Sequence, residues 1–220
     1  PTFSAARLSL LDRGFVFAIA HVRGGGEMGR RWYLDGKFSQ KPNTFSDTIA
    51  CARALVAAGL TTPGQLGLRG ASAGGLLVGA VLNQAPELFG AAVAQVPFVD
   101  ALNTMLDPTL PLTVTEWEEW GNPSDSEDIY DVMAAYTPYE NVTTAAYPAI
   151  FVTAGLSDPR VGYWEPAKWV LRLREATTSD KPILLWTDLG AGHGGPTGRY
   201  AAWTEEARTL AFLVSTLGAV

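Results

Sequence analysis

Leu68-Arg69-Gly70-Ala71-Ser72-Ala73-Gly74-Gly75 is the stretch on which the fold turns, because it joins a short apolar run to a helix-forming one through a Gly-x-Ser-x-Gly pattern. A serine held on a sharp strand-to-helix turn needs small neighbours, and Gly70, Ala71, Ala73, Gly74 and Gly75 supply them. Pro63-Gly64 closes the preceding loop, residues 65–68 read as a short strand, and residues 76–84 read as an amphipathic helix. Ser72 is therefore a candidate nucleophile. The competing reading is a glycine-rich turn of a Rossmann-like unit, and the rest of the chain must decide between them.

Outward from this turn, apolar runs alternate with helical patterns. Residues 91–99 read as a strand ending at Asp100. Residues 149–154 read as another, leading into Gly155-Leu156-Ser157-Asp158, and residues 182–187 as a third. Upstream, the continuous apolar run at 15–22 reads as a buried parallel strand containing His21. Helices are expected at 7–13 with Gly14 as stop, at 44–58 with Gly59 as stop, at 165–175 and at 199–217. Residues 103–131, acidic and bearing proline and tryptophan, read as an insertion. Such alternation implies an α/β fold with a mostly parallel sheet covered by helices on both faces. Arg23-Gly24-Gly25-Gly26-Glu27 lacks the spacing of a phosphate-binding loop.

Composition sets outer limits. A chain of 220 residues, 47% hydrophobic and 17% charged, suits one compact domain. No apolar run approaches the roughly 18 residues of a membrane span, and no signal-peptide pattern opens the chain. A net charge of −6 disfavours nucleic acid as a partner. The charge is also uneven: residues 70–159 hold twelve acidic residues and no Lys or Arg, whereas the rest of the chain sums to +6. Cys51, the single cysteine, excludes an internal disulfide and points to a reducing, cytoplasmic setting; it reads as a buried or half-buried helix residue.

A serine hydroxyl becomes a useful nucleophile when histidine accepts its proton, and the imidazolium then needs a carboxylate. Of two histidines, His193 lies in the small-residue loop Gly190-Ala191-Gly192-His193-Gly194-Gly195 after the last strand, and it is the candidate base. His21 reads as a hydrogen-bonded structural residue. In α/β-hydrolases the acid lies between nucleophile and histidine in the chain. Asp158 fits, at the carboxyl edge of a strand where open α/β sheets place their sites; Asp100 is the alternative, and Asp188 reads as facing elsewhere. The backbone N–H of Ala73 is one candidate oxyanion donor. No metal or cofactor is implied.

Several longer runs resemble the prolyl oligopeptidase family of serine peptidases, and within it the oligopeptidase B branch. They include Arg7-Leu8-Ser9-Leu10-Leu11-Asp12-Arg13-Gly14, His21-Val22-Arg23-Gly24-Gly25-Gly26-Glu27, Gln95-Val96-Pro97-Phe98-Val99-Asp100, Tyr163-Trp164-Glu165-Pro166-Ala167-Lys168-Trp169 and Gly192-His193-Gly194-Gly195. The resemblance covers essentially all 220 residues. It implies the same triad, Ser72, Asp158 and His193. It also implies that Thr115-Glu116-Trp117-Glu118-Glu119-Trp120-Gly121 recognises a basic side chain, with Glu116 and Glu118 as ligands and indole as a stacking surface. Arg160 resembles the family's arginine for a substrate main-chain carbonyl. Short basic peptides are the implied substrates.

Two family features, an N-terminal β-propeller and an upstream tyrosine that completes the oxyanion hole, are expected outside this chain. So are the first strands of the sheet, which makes residues 1–220 the peptidase catalytic domain of a longer protein. Competing functions are another α/β-hydrolase activity, esterase or aminopeptidase, and an inactive fragment that retains peptide binding.

Overall fold

The structure, a computed structural model, describes residues 3–218. Its elements follow in order as α1 (Ala5–Leu11), α2 (Arg30–Leu34), α3 (Pro42–Ala57), β1 (Gly67–Ala71), α4 (Ala73–Gln84) and β2 (Ala91–Gln95). Then come α5 (Ala101–Leu106), α6 (Thr113–Trp120), α7 (Glu127–Tyr136), β3 (Ala149–Gly155), α8 (Trp164–Ala176), β4 (Ile183–Asp188) and α9 (Arg199–Leu217). The four strands form one parallel sheet in the order β1-β2-β3-β4. Gly67 pairs with Ala91, Ala91 with Ala149, and Ile150 with Ile183.

Both faces of the sheet are covered, and the strands' two-residue period shows how. Ala92, Ala94, Ile150 and Val152 point into a large core that α3, α4 and α8 complete through Phe45, Leu76, Val81, Trp169 and Leu173. Ala91, Val93, Ala149 and Phe151 point the other way, onto Phe212 and Leu213 of α9. The Phe151 and Phe212 rings lie 5.5 Å apart. This is an α/β-hydrolase architecture, with short β2 and β3 rich in small and branched residues because helices press on each side.

The acidic insertion is helical. α5 follows the carboxyl end of β2 and packs against α6 and α7, and Ser126 caps α7 by accepting from the Ile129 N–H at 3.3 Å. Gly59, at φ 70°, stops α3 as its position suggests. No helix among the described residues is long and apolar enough to cross a membrane.

Two expectations fail. Residues 15–22 join no strand among the described residues; Val16 is 77% exposed and Ile19 48%. An apolar run carries a preference for burial, but a strand also needs a neighbour to take its N–H and C=O groups, and this segment meets none. His21 is thus not a core residue: its Nδ1 lies 3.6 Å from a Glu27 carboxylate, with both side chains about half exposed. Cys51 is exposed on the outer side of α3, since Ile49 and Ala52 take the inward positions of that turn.

Candidate active site

Ser72 lies between β1 and α4 at φ 57°, ψ −120°, a conformation that glycine adopts freely and serine does not. Its N–H donates to Gln95 O at 2.9 Å, and its carbonyl accepts from Gly75 N at 2.8 Å and Phe98 N at 3.2 Å. Those bonds over-determine the turn, which is how strain of about 1–3 kcal/mol persists. The flanking glycines are sterically required at two positions. A Cβ on Gly70 would meet Gly74 O at 2.2 Å, and one on Gly75 would meet Pro97 Cβ at 2.4 Å. Helix α4 can therefore start directly against the strands.

The loops after β3 and β4 are stitched together. Leu156 N donates to Asp188 O at 2.9 Å and Ser157 N to Ala191 O at 3.1 Å. Gly155 lets them close, since a Cβ there would meet Gly192 O at 2.6 Å. This brings His193 between the other two residues: Nδ1 lies 2.7 Å from Asp158 Oδ2, and Nε2 lies 3.0 Å from Ser72 Oγ. The Asp158 side chain is 1% exposed. Its Oδ1 accepts from Arg160 N at 2.8 Å and Val161 N at 3.0 Å. A carboxylate only accepts, so Nδ1 carries the imidazole proton and Nε2 faces the hydroxyl as a base. Ala73 opens α4, and its N–H lies outside the helix ladder. Asp100 sits elsewhere, paired with Lys168, and Asp188 accepts from Gly190 N in its own loop.

Ser72 and Ala73 open onto a cavity of about 660 Å³ walled by α6, by the Asp158 turn with Arg160, and by Lys37, Lys41 and Tyr33. Glu116, Glu118 and Glu119 all line it. Glu116 accepts from Trp120 Nε1 at 2.9 Å, Glu119 accepts from the Tyr33 hydroxyl at 2.5 Å, and Glu118 is exposed. The tryptophans are already engaged. Trp120 packs 5.2 Å from Phe98 and carries the Lys41 ammonium 5.0 Å over its ring, while Trp117 donates to Met105 O at 3.0 Å. The expected stacking surface is thus occupied by the protein's own cation. Burial lowers the Lys41 pKa, and the Glu119 charge opposes that shift.

Tyr33, Lys41, Glu119 and Glu165 are cavity residues that the sequence reading did not single out. Glu119 lay within the quoted acidic segment. For Lys41, well ahead of the first strand at Gly67, no local signal exists: only the packing of α3 brings it here.

All 220 residues match the Prolyl oligopeptidase family. The chain is 52% identical over 218 residues to Protease 2 of Moraxella lacunata, and covers 99% of this chain and 31% of that protein. It is 50% identical to Dipeptidyl aminopeptidase BI of Pseudoxanthomonas mexicana, again over 99% of this chain and 30% of that protein. Among solved structures, Oligopeptidase B from Leishmania major superposes on all of this chain, and on 30% of its own, with a TM-score of 0.97 and 55% identity. The chain therefore spans about a third of the length of the curated relatives it matches. Fold, sequence and named relatives agree that this chain belongs to the prolyl oligopeptidase family, and that it is similar to the family's oligopeptidase B members.

Proposed function

We propose that this chain is the catalytic domain of an endopeptidase that cleaves short peptides on the carboxyl side of Arg or Lys. The observation that carries the proposal is the hydrogen-bonded chain Asp158, His193, Ser72 opening onto a cavity with three glutamates. Ser72 Oγ attacks the scissile carbonyl as His193 Nε2 takes its proton; Asp158 holds the imidazole and stabilises its cation. The Ala73 N–H stabilises the oxyanion, and the same histidine protonates the leaving amine. Water then reverses these steps on the acyl-enzyme. Glu116 and Glu118 receive the basic side chain, and Arg160 holds a substrate carbonyl.

The test uses the complete protein and paired peptides that differ only in Arg or Phe before the scissile bond. The expected result is a kcat/KM higher for Arg by at least tenfold; a preference for Phe sinks the specificity. Ser72→Ala is expected to lower kcat by about 10⁵-fold or more while leaving substrate binding intact. A second reading, aminopeptidase, is favoured by the 50% identity to a protein of that name. Peptides with a blocked amino terminus separate the two, since only the endopeptidase cleaves them.

A further inference from the structure

Glu165 stands in the cavity wall without a part in the steps above. It is 1% exposed, in the first turn of α8, which follows directly on the Asp158 turn. Its own N–H donates to Gly162 O at 2.9 Å. Its carboxyl reaches across to the acidic helices: Oε2 accepts from Asp100 N at 2.9 Å, and Oε1 accepts from the Thr104 hydroxyl at 2.7 Å. Thr104 in turn carries α6. Its carbonyl accepts from Thr113 Oγ1 at 2.8 Å, and the next residue's carbonyl accepts from Trp117 Nε1. A continuous run of bonds thus leads from the Asp158 turn through Glu165 and α5 to the helix bearing Glu116 and Glu118.

We propose that Glu165 is a positioning residue that fixes the α5 and α6 wall against the Asp158 turn, and so sets substrate affinity rather than the rate of the chemical step. The inference rests on the cavity being the substrate pocket. Lys168 paired with Asp100 is the second tie between the same elements, but it is one-third exposed and reaches only the start of α5. Glu165 reaches further, bonding through Thr104 to the interior of α5. The side chain accepts from two donors at once, one on each carboxyl oxygen, and an apolar side chain of similar size offers neither acceptor. Burial beside Asp100 pushes its pKa up to about 7, the cost of placing an acid where only its geometry is wanted.

The experiment measures KM and kcat separately in the complete protein carrying Glu165→Leu, Thr104→Val or Thr104→Ser. Glu165→Leu removes both acceptors; Thr104→Val leaves one carboxyl oxygen unpaired; Thr104→Ser restores the hydroxyl. The expected result is a KM raised about tenfold, ~1.4 kcal/mol, in the first two, with kcat within about twofold of the wild type and recovery in the third. Unchanged KM in both, or a fall in kcat with KM unchanged, overturns the proposal. Should Glu165→Leu fail to fold, the Thr104 pair decides alone. Should the wild type prefer Phe over Arg, the basic specificity is lost, and the same split on the Phe substrate still decides the role of Glu165.

Discussion

Ser72 occupies backbone geometry that glycine would hold without strain. Replacing it by glycine and by alanine removes the same hydroxyl, so both variants lose turnover, but only glycine relaxes the turn. After allowing for glycine's larger unfolded-state entropy, Ser72→Gly is expected to be about 1 kcal/mol more stable than Ser72→Ala by urea unfolding. Equal stabilities would mean that the turn stores no strain. The same residue shows how much of the site is legible locally. Serine, acid and histidine are found by chemistry and chain order, because each carries a distinctive functional group in a small-residue loop. Lys41 and Tyr33 carry no such mark: their place beside Glu119 depends on how α2 and α3 dock, which no neighbouring residue announces.

At the level of elements, α8 and α5 meet through a buried acid whose ionisation opposes folding. In the unfolded chain a glutamate loses its proton near pH 4.5, whereas folded Glu165 holds it to about 7. Below the lower value both states are protonated and folding bears no cost. As pH rises toward 7 the unfolded state releases the proton first, so stability falls, by about 3 kcal/mol in total, and then levels. Glu165→Gln lacks this step: the difference in unfolding free energy between wild type and variant is expected to shrink between pH 4.5 and 7 and stay flat above. A difference independent of pH would place the folded carboxyl at its ordinary value. Other elements were readable in advance. α9 spans Arg199–Leu217, β2 lies within its apolar run, and β3 and β4 each run one residue past theirs, because each packs an apolar face on the core. Residues 15–22 are equally apolar yet lie at the surface, since pairing depends on a distant neighbour that composition does not name.

Over the whole molecule, the separation of charge gives the proposed reaction a long-range component. Residues 70–159 supply β1's end, β2, β3 and the helices α5 to α7, and four of their acidic groups, Glu116, Glu118, Glu119 and Asp158, line the cavity at the carboxyl end of the sheet, where Ser72 lies. Within the cavity, Lys37, Lys41 and Arg160 offset part of that charge. The exposed acids of α7, Glu127, Asp128 and Asp131, have no such partner lining the cavity. Attraction at contact is therefore moderated while the field beyond it is not. A basic peptide should feel this field at low salt, where screening sets in only beyond about 30 Å, and lose it at physiological salt, where screening sets in within about 8 Å. For the complete protein, kcat/KM toward the Arg peptide is expected to fall severalfold between these conditions, and toward the Phe peptide to stay level. Neutralising the α7 acids as Glu127→Gln, Asp128→Asn and Asp131→Asn should flatten the Arg slope with kcat unchanged. A slope that survives those substitutions would confine the electrostatics to the cavity itself, with Glu116 and Glu118 acting only on a cation that has already arrived.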